Sequence, residues 1–367
     1  MALKIQTTAI RSGYDKKTCF VHLRPGRLSD GTHILTTQPL RLRGMDHFGP
    51  IHTMISTDDG QTWSGPTAEA AFAGRSADGV TCFCCDFVPA LHKATERLLG
   101  IGQTVYYTGA GTIAQPRRRE TCYSVYDEAA QRFRTWKTLQ LPRGMDFLNS
   151  GAGCAQRCDL PDGTILLPFY FQAPHTSYFQ SAVMTLGFDK ETLSVLSVSA
   201  PVCTDSDRRG SYEPSLVGIK DQFFLTLRTD GEGYVCQADR SLRFSEPRPW
   251  QWETGEAVGI DNTQQHFVTL GEHLYLVYTR RGLANDHVFR HRAPLLIARV
   301  DTGRLCLLRD TEQILVEQRG ARLGNFGVCQ NSENDAWVTV SEWMQPIGCE
   351  RYGSDNAFFL VRISEGC

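Results

Sequence analysis

The sequence has no long apolar run. No stretch approaches the roughly 18 to 20 apolar residues that a membrane-spanning helix needs, and the opening MALKIQTTAIRSGYDKK holds no apolar h-region. Neither export nor membrane insertion is expected, and a cytoplasmic location is. Charge of one sign is missing too. Lys and Arg number 38 against 40 Asp and Glu, a formal net charge of -2, so no global field draws the chain to nucleic acid or an anionic membrane. The one basic run, PRRRE at residues 116–120, is short and reads as a solvated loop between strands. Paired C-x2-C spacing is absent: neither CFCC (Cys82, Cys84, Cys85) nor CAQRC (Cys154, Cys158) lets two thiolates meet one tetrahedral ion. No metal and no organic cofactor are expected. The 13 cysteines are odd in number and several sit in strand-like runs, so they read as buried thiols rather than a disulfide framework. GEGYV and GAGC lack the rest of a phosphate-binding loop, and neither a G-x-S-x-G elbow nor a zinc-binding helix motif occurs. Long helical periodicity is lacking as well; the nearest candidate, EAAQRFRTWKTL, also fits a strand and loop.

What is present is strand-like. Hydrophobic residues make up 41% of the 367, enough for a large core. Short alternating or β-branched runs recur throughout, among them GTHILTT, GTILLPFYF, QFFLTLRT, HLYLVYTR and NAFFLVRI. Turn clusters such as LSDG, DLPDG, RTDGEG and VDTG separate them and supply the Asp-Gly and Gly positions of tight turns. MISTDDGQTWSGP, YSVYDEAAQRFRTW, VCQADRSLRFSEP and IARVDTGRLCLL repeat one plan, a strand followed by a polar loop with an acid. Recurrence at roughly 50 to 70 residues is the expected period of four-stranded propeller blades. With no Pro/Gly/Ser-rich linker, residues 1–367 are expected to form one closed domain: an all-β, six-bladed β-propeller of four-stranded antiparallel blades.

The densest local signal is STDDGQTWS, residues 56–64. Asp58 and Ser56 can bond neighbouring backbone amides, Gly60 permits a positive φ, and Trp63 can fold back as an apolar plug. Ser56-x-Asp58-x-Gly60-x-x-Trp63 resembles the Asp box, S-x-D-x-G-x-x-W, of the sialidase (neuraminidase) superfamily. The motif also occurs in other propellers, so it speaks to fold more than function, and its acids are expected to be structural.

Other fragments resemble the sialidase pattern in order along most of the chain. HLRPGRLSDGTHIL is similar to the first-blade strand with an arginine just before a proline, which implies Arg24. GMDHFGP stands where the family carries its acid/base aspartate, implying Asp46. YEPSLVGIKDQFFLTLR resembles the E-P…R unit, implying Glu213 and Arg228, and RHRAPLLIARVD the strand with a third arginine, implying Arg292 with Arg290 as competitor. RYGSDNAFFLVRI sits where the family places its catalytic tyrosine, implying Tyr352, with Tyr278 as substitute.

The set has a chemical logic. A nonulosonic acid carries a carboxylate on its anomeric carbon, and arginines from different blades can clamp that planar anion. A carboxylate nucleophile would be repelled by it, and a tyrosine activated by a neighbouring glutamate is the alternative. The resemblance therefore implies an exo-acting glycoside hydrolase for a terminal acidic sugar, α-linked sialic acid first. Asp46 would serve as acid/base and Glu213 as proton acceptor for Tyr352, with substrate held by Arg24, Arg228, Arg292, His47 and Gln264. The expected partner is a carbohydrate bearing a carboxylate, and no nucleic acid or membrane. Two alternatives stay open. Some propeller enzymes cleave uronic-acid linkages with histidine and tyrosine, and His47, His92, His266 and His291 are either parts of such a mechanism or satisfied blade-interior residues. Asn262, Gln264 and His266 in DNTQQHF suit sugar hydroxyls or an inter-blade loop. A non-catalytic carbohydrate-binding propeller is the third reading.

Overall fold

The structure, a computed structural model, describes residues 3–42, 46–145, 147–204 and 208–366. Six antiparallel sheets stand around one axis as the blades of a six-bladed β-propeller. From the axis outward, blade I holds Thr18–Arg27, His33–Arg41, His52–Ser56 and Thr67–Ala68. Blade II is built on Val80–His92, Arg97–Thr108 and Thr121–Asp127, and blade III on Cys158–Asp159 with Leu148–Gly151, then Ile165–Gln172, Phe179–Phe188 and Leu193–Val198. Blade IV is Tyr212–Ile219, Gln222–Arg228, Tyr234–Ala238 and Arg248–Pro249. Blade V follows with His266–Leu270, His273–Tyr278, Leu295–Asp301 and the short outer strands Cys306–Leu307 and Gln313–Val316. Blade VI comprises Gly327–Ser332, Asp335–Ser341 and Phe358–Glu365, and its outermost strand is Leu3–Arg11 from the start of the chain. That pairing closes the ring.

The core is a set of wedges between neighbouring blades, because the inner strands are buried on both faces of their sheets. Val268, Val277, Val338 and Ile363 fill the V–VI wedge, Leu99, Ile101, Ile165 and Phe169 the II–III wedge, and Leu216 with Leu166 and Val183 the III–IV wedge. Phe224, Trp250, Phe267 and Leu276 pack between IV and V, and Leu23, Leu35, Met54 and Phe358 between VI and I. Of the twelve described cysteines, all free, nine are buried. No helix among the described residues is long and apolar enough to cross a membrane.

The repeated acid in the sequence has a common job. After the third strand of blades I to V, an aspartate accepts backbone N–H bonds that close the turn to the fourth: Asp58 from Thr62 (2.9 Å), Asp127 from Ala130 (3.1 Å), Asp189 from Thr192 (2.7 Å), Asp239 from Ser241 (2.9 Å) and Asp301 from Arg304 (2.9 Å). The first is the most elaborate. Ser56 Oγ donates to Asp58 and accepts from Gly60 N, each at 2.8 Å, and Trp63 Nε1 donates to Gly60 O at 3.2 Å. The Thr62 hydroxyl and amide and the Ser56 hydroxyl hold the Asp58 carboxyl down at about 2. Gly60 has φ +73 and lies so near Trp337 of blade VI that a Cβ would approach its ring to 2.7 Å. Ser56 pairs with His33, and His33 with Arg27, which lines a cavity at the other end of the axis from the cleft described next.

Candidate functional site

Bulges on the innermost strands build the site. A strand's side chains alternate between faces, and one extra residue reverses which of them meets the axis. Pairing slips between Val21 and Arg24, Cys85 and Val88, Leu148 and Gly151, and Tyr212 and Ser215. Each slip contains a residue at positive φ: His22 (φ 56), Asp86 (φ 53), Asn149 (φ 43) and Glu213 (φ 47). Such backbone is uncommon outside glycine and costs energy. All four side chains line one cavity of about 380 Å³ at a mouth of the axis, to which every blade contributes.

On one side, Arg228 donates to Glu213 and to Asn262 Oδ1 (2.6 Å), and Gln264 Nε2 donates to Glu213 Oε2 (3.1 Å). Burial would push the Glu213 carboxyl up, but the Arg228 charge and hydrogen bond, with Gln264 and Arg292, hold it well below the usual range. Arg292 is anchored on Asn262 O (3.0 Å) and Asn325 Oδ1 (3.2 Å). Burial, then the charges of Arg228, Arg322 and Arg290, drives it well below its ordinary value, and Arg322 falls to about 10 through burial. These guanidiniums feel one another, so burial and like charge together disfavour the positive form of Arg292. Tyr212 lies beneath Arg209 and Arg228, 3.9 and 4.7 Å from ring centroid to guanidinium, with its hydroxyl 2.8 Å from Asp230.

On the floor, His22 Nε2 is 3.1 Å from Asp86 Oδ1. Asp86 also accepts from Gln103 Nε2 (3.0 Å) and Cys154 Sγ (2.7 Å). The His22 ring packs on Phe48 and Trp343 at 4.9 and 5.5 Å. Burial lowers its basicity even against the Asp86 charge. At the rim, Asp46 Oδ2 lies 3.9 Å from Arg117 Nη2, and the Tyr107 hydroxyl donates to the Asp46 carbonyl.

Of the residues inferred from sequence, Asp46, Glu213, Arg228 and Arg292 line this cleft together, and Arg290 lines it beside Arg292. Arg24 does not. Because of the bulge at His22, it turns away to the second cavity, fully buried, and donates to Gln264 Oε1 (2.8 Å) with His266 Nε2 at 3.3 Å. Gln264 thus links Arg24 to Glu213 from behind rather than facing a ligand. Tyr352 is also outside: it ends a short 3-10 turn, Cys349–Tyr352, is 42% exposed and rests on His287 (4.4 Å). His47 stacks on Tyr107 (4.9 Å) and is not in the lining. Tyr278 is in the blade V interior, donating to Glu312 (2.6 Å). His291 stands between Asp261 and Asp286, and His92 between Thr95 and Gly163.

Sequence reasoning missed His22, Asp86, Arg209, Arg322, Tyr170 and Tyr212. It also misjudged PRRRE: Arg117 and Arg119 face the cleft, while Arg118 turns to Glu120 (3.1 Å). The alternation within that run was the signal for it.

No family model matches the chain, and no curated protein matches its sequence. Solved structures do resemble it. A protein of unknown function from Dyadobacter fermentans has a TM-score of 0.68 at 13% identity over 99% of both chains. A Hadza microbial sialidase has a TM-score of 0.67 at 13% identity, covering 97% of this chain and 68% of that one. The sialidase of Trypanosoma rangeli in complex with the inhibitor DANA has a TM-score of 0.65 at 13% identity, over 98% of this chain and 59% of its own length. At such identities the likeness is one of fold.

Proposed function

We propose that the chain is an exo-acting glycoside hydrolase that removes a terminal acidic sugar, α-linked sialic acid first, from oligosaccharides or glycoconjugates. The observation that carries this reading is the crowding of Arg228, Arg290, Arg292 and Arg322 into one cavity of monosaccharide size with Asp46 on its rim. A sugar carboxylate entering there would relieve the mutual repulsion of those cations and accept charge-assisted bonds from them. The layer of Glu213, Gln264 and Arg24 closes the floor, which favours a chain end over a chain interior. Asp46 would protonate the leaving oxygen and then activate water. Glu213 would fix the arginines and, with Asp86, offset positive charge developing on the ring. The tyrosine role would fall to the lining: Tyr212 has the Asp230 carboxylate at 2.8 Å to draw its proton.

A second reading, a hydrolase or lyase of uronic-acid-containing saccharides, is favoured by the His22–Asp86 pair on the floor. Release of fluorophore from an α-sialoside and from a uronoside, by wild type, Arg292→Gln and His22→Gln, separates the two. Sialoside turnover lost in Arg292→Gln supports the first; uronoside turnover lost in His22→Gln supports the second. Saccharide binding with no turnover of either would leave a carbohydrate-binding propeller.

A further inference from the structure

We propose that the ligand of this cleft carries two anionic groups: the sugar carboxylate, held from blades IV to VI, and a second anionic substituent, held by Arg117 and Arg119 of blade II. The inference rests on the acidic-sugar reading and narrows its substrate class to saccharides bearing a carboxylate together with a sulfate ester, a phosphate ester or another carboxylate.

Positive charge exceeds negative in the lining. Seven arginines line the cavity among the described residues, against three acids, Asp46, Asp86 and Glu213. Glu213 is taken by Arg228, and Asp86 by His22, Gln103 and Cys154. A single carboxylate engages two or three guanidiniums. Arg117 has Asp46 at 3.9 Å and Arg209 has Asp230 at 2.7 Å, so a carboxylate served by Arg290, Arg292 and Arg322 leaves Arg119 over.

The arginines also stand on opposite walls. Arg290 and Arg292 stand between the second and third strands of blade V, and Arg117 and Arg119 between the second and third strands of blade II. In a ring of six, blades II and V are diametrically opposite. One carboxylate on the blade V side therefore leaves the blade II pair across the cavity. On the near side the charges of Arg228, Arg322 and Arg290 all bear on the buried Arg292, and that of Arg228 on Arg290.

The blade II wall is built to hold a group. Arg119 is only 8% exposed, lies 5.1 Å over the Tyr170 ring, and has no acidic partner among the described residues. Gly151 makes room for it and for Gln103: a Cβ there would run into Gln103 Oε1 and meet Arg119 Cδ at 2.6 Å. Beside it, Asn149 is held at φ 43, donates to Gln172 Oε1 (3.0 Å), and keeps a buried Oδ1 with no donor, an acceptor for a sugar hydroxyl. A buried guanidinium without an acid is expensive unless something anionic comes to it.

Calorimetric titration at fixed low ionic strength tests this with a uronate disaccharide and the same disaccharide carrying a sulfate ester; a phosphate ester form in a parallel arm tells the two substituents apart. The sulfated or phosphorylated form should bind roughly ten- to hundredfold tighter to wild type. The ratio should fall to near one in Arg119→Gln and recover in part in Arg119→Lys. Gly151→Ala, which crowds Arg119 without removing it, should also lower the ratio. A wild-type ratio near one, or one unchanged in a folded Arg119→Gln, overturns the proposal. Hydrolysis of the α-sialoside together with a ratio near one would refute the second wall and leave the glycosidase reading standing. The expected ratio with no hydrolysis would do the reverse.

Discussion

Glu213→Gln is the most informative single change, because the wild-type carboxylate is the acid in contact with Arg228 and is linked through Gln264 to Arg24. The side chains of Glu213 and Arg228 are 14% and 7% exposed, so water screens the pair little. Neutralising the acid leaves a buried guanidinium uncompensated, a loss of about 3–5 kcal/mol for a pair broken on one side. With an unfolding entropy of about 2 cal/mol/K per residue, the 367-residue chain should lose about 4–6 °C in melting temperature at pH 7. The effect has a pH signature. Arg228 holds the folded carboxyl below its unfolded value of about 4.3, so its ionisation stabilises the fold in full above that pH and ceases to as pH falls through the lowered folded value. The gap between wild type and variant should therefore narrow as pH is taken from about 5 toward 2. Glu213→Gln/Arg228→Met should regain part of the loss, since a neutral pair no longer strands a charge. Differential scanning calorimetry across that pH range is the assay. A variant that melts with wild type at pH 7, or a gap that does not change with acid, would refute the assignment of Glu213 as the counter-charge of this layer.

Three further outcomes are expected. Asp46→Asn should lower kcat by about 10²–10⁴-fold as a lost proton donor while leaving the melting temperature alone, because its side chain is 36% exposed and its cation is 3.9 Å away; equal kcat would remove Asp46 from the chemistry. Gly60→Ala should cost about 1–3 kcal/mol, since a side chain there is strained at φ +73 and meets Trp337 at 2.7 Å; an unchanged urea midpoint would show that the turn does not bind blade I to blade VI. Tyr212→Phe should abolish turnover and Tyr352→Phe should not, and steady-state rates in the reverse order would return the nucleophile to the sequence-based choice.

The blades were legible because burial on both sheet faces forces continuous apolar strands, and because an aspartate closes the third turn five times over. Glu213, Arg228 and Asp46 were legible as parts of ordered fragments. Arg24 was misplaced for a local reason: the bulge at His22 moves the cleft-facing position away from the arginine that stands directly before Pro25. Periodicity counts residues and cannot see an inserted one. Tyr352 failed differently. It precedes the last strand by a left-handed Gly353 and a short turn that carries it to the outside, a path that side-chain chemistry alone does not specify. Arg117 and Arg119 were hidden by Arg118 between them, since composition reads three basic residues as one solvated feature.

The pairing of the first strand with the last carries one more consequence. Leu3 stands opposite Glu365 in neighbouring strands, so the two described ends of the chain are adjacent, separated by one strand spacing. Every wedge of the core needs two blades side by side in space and is indifferent to which came first in synthesis. A chain joined at that seam by a short linker and opened instead at the exposed turn around Gly255, where an added Cβ would meet nothing within 4 Å, should rebuild the same ring with its blades read in rotated order. Blade number is thus a convention of the reading frame, whereas the opposition of one blade to another across the axis is a property of the molecule.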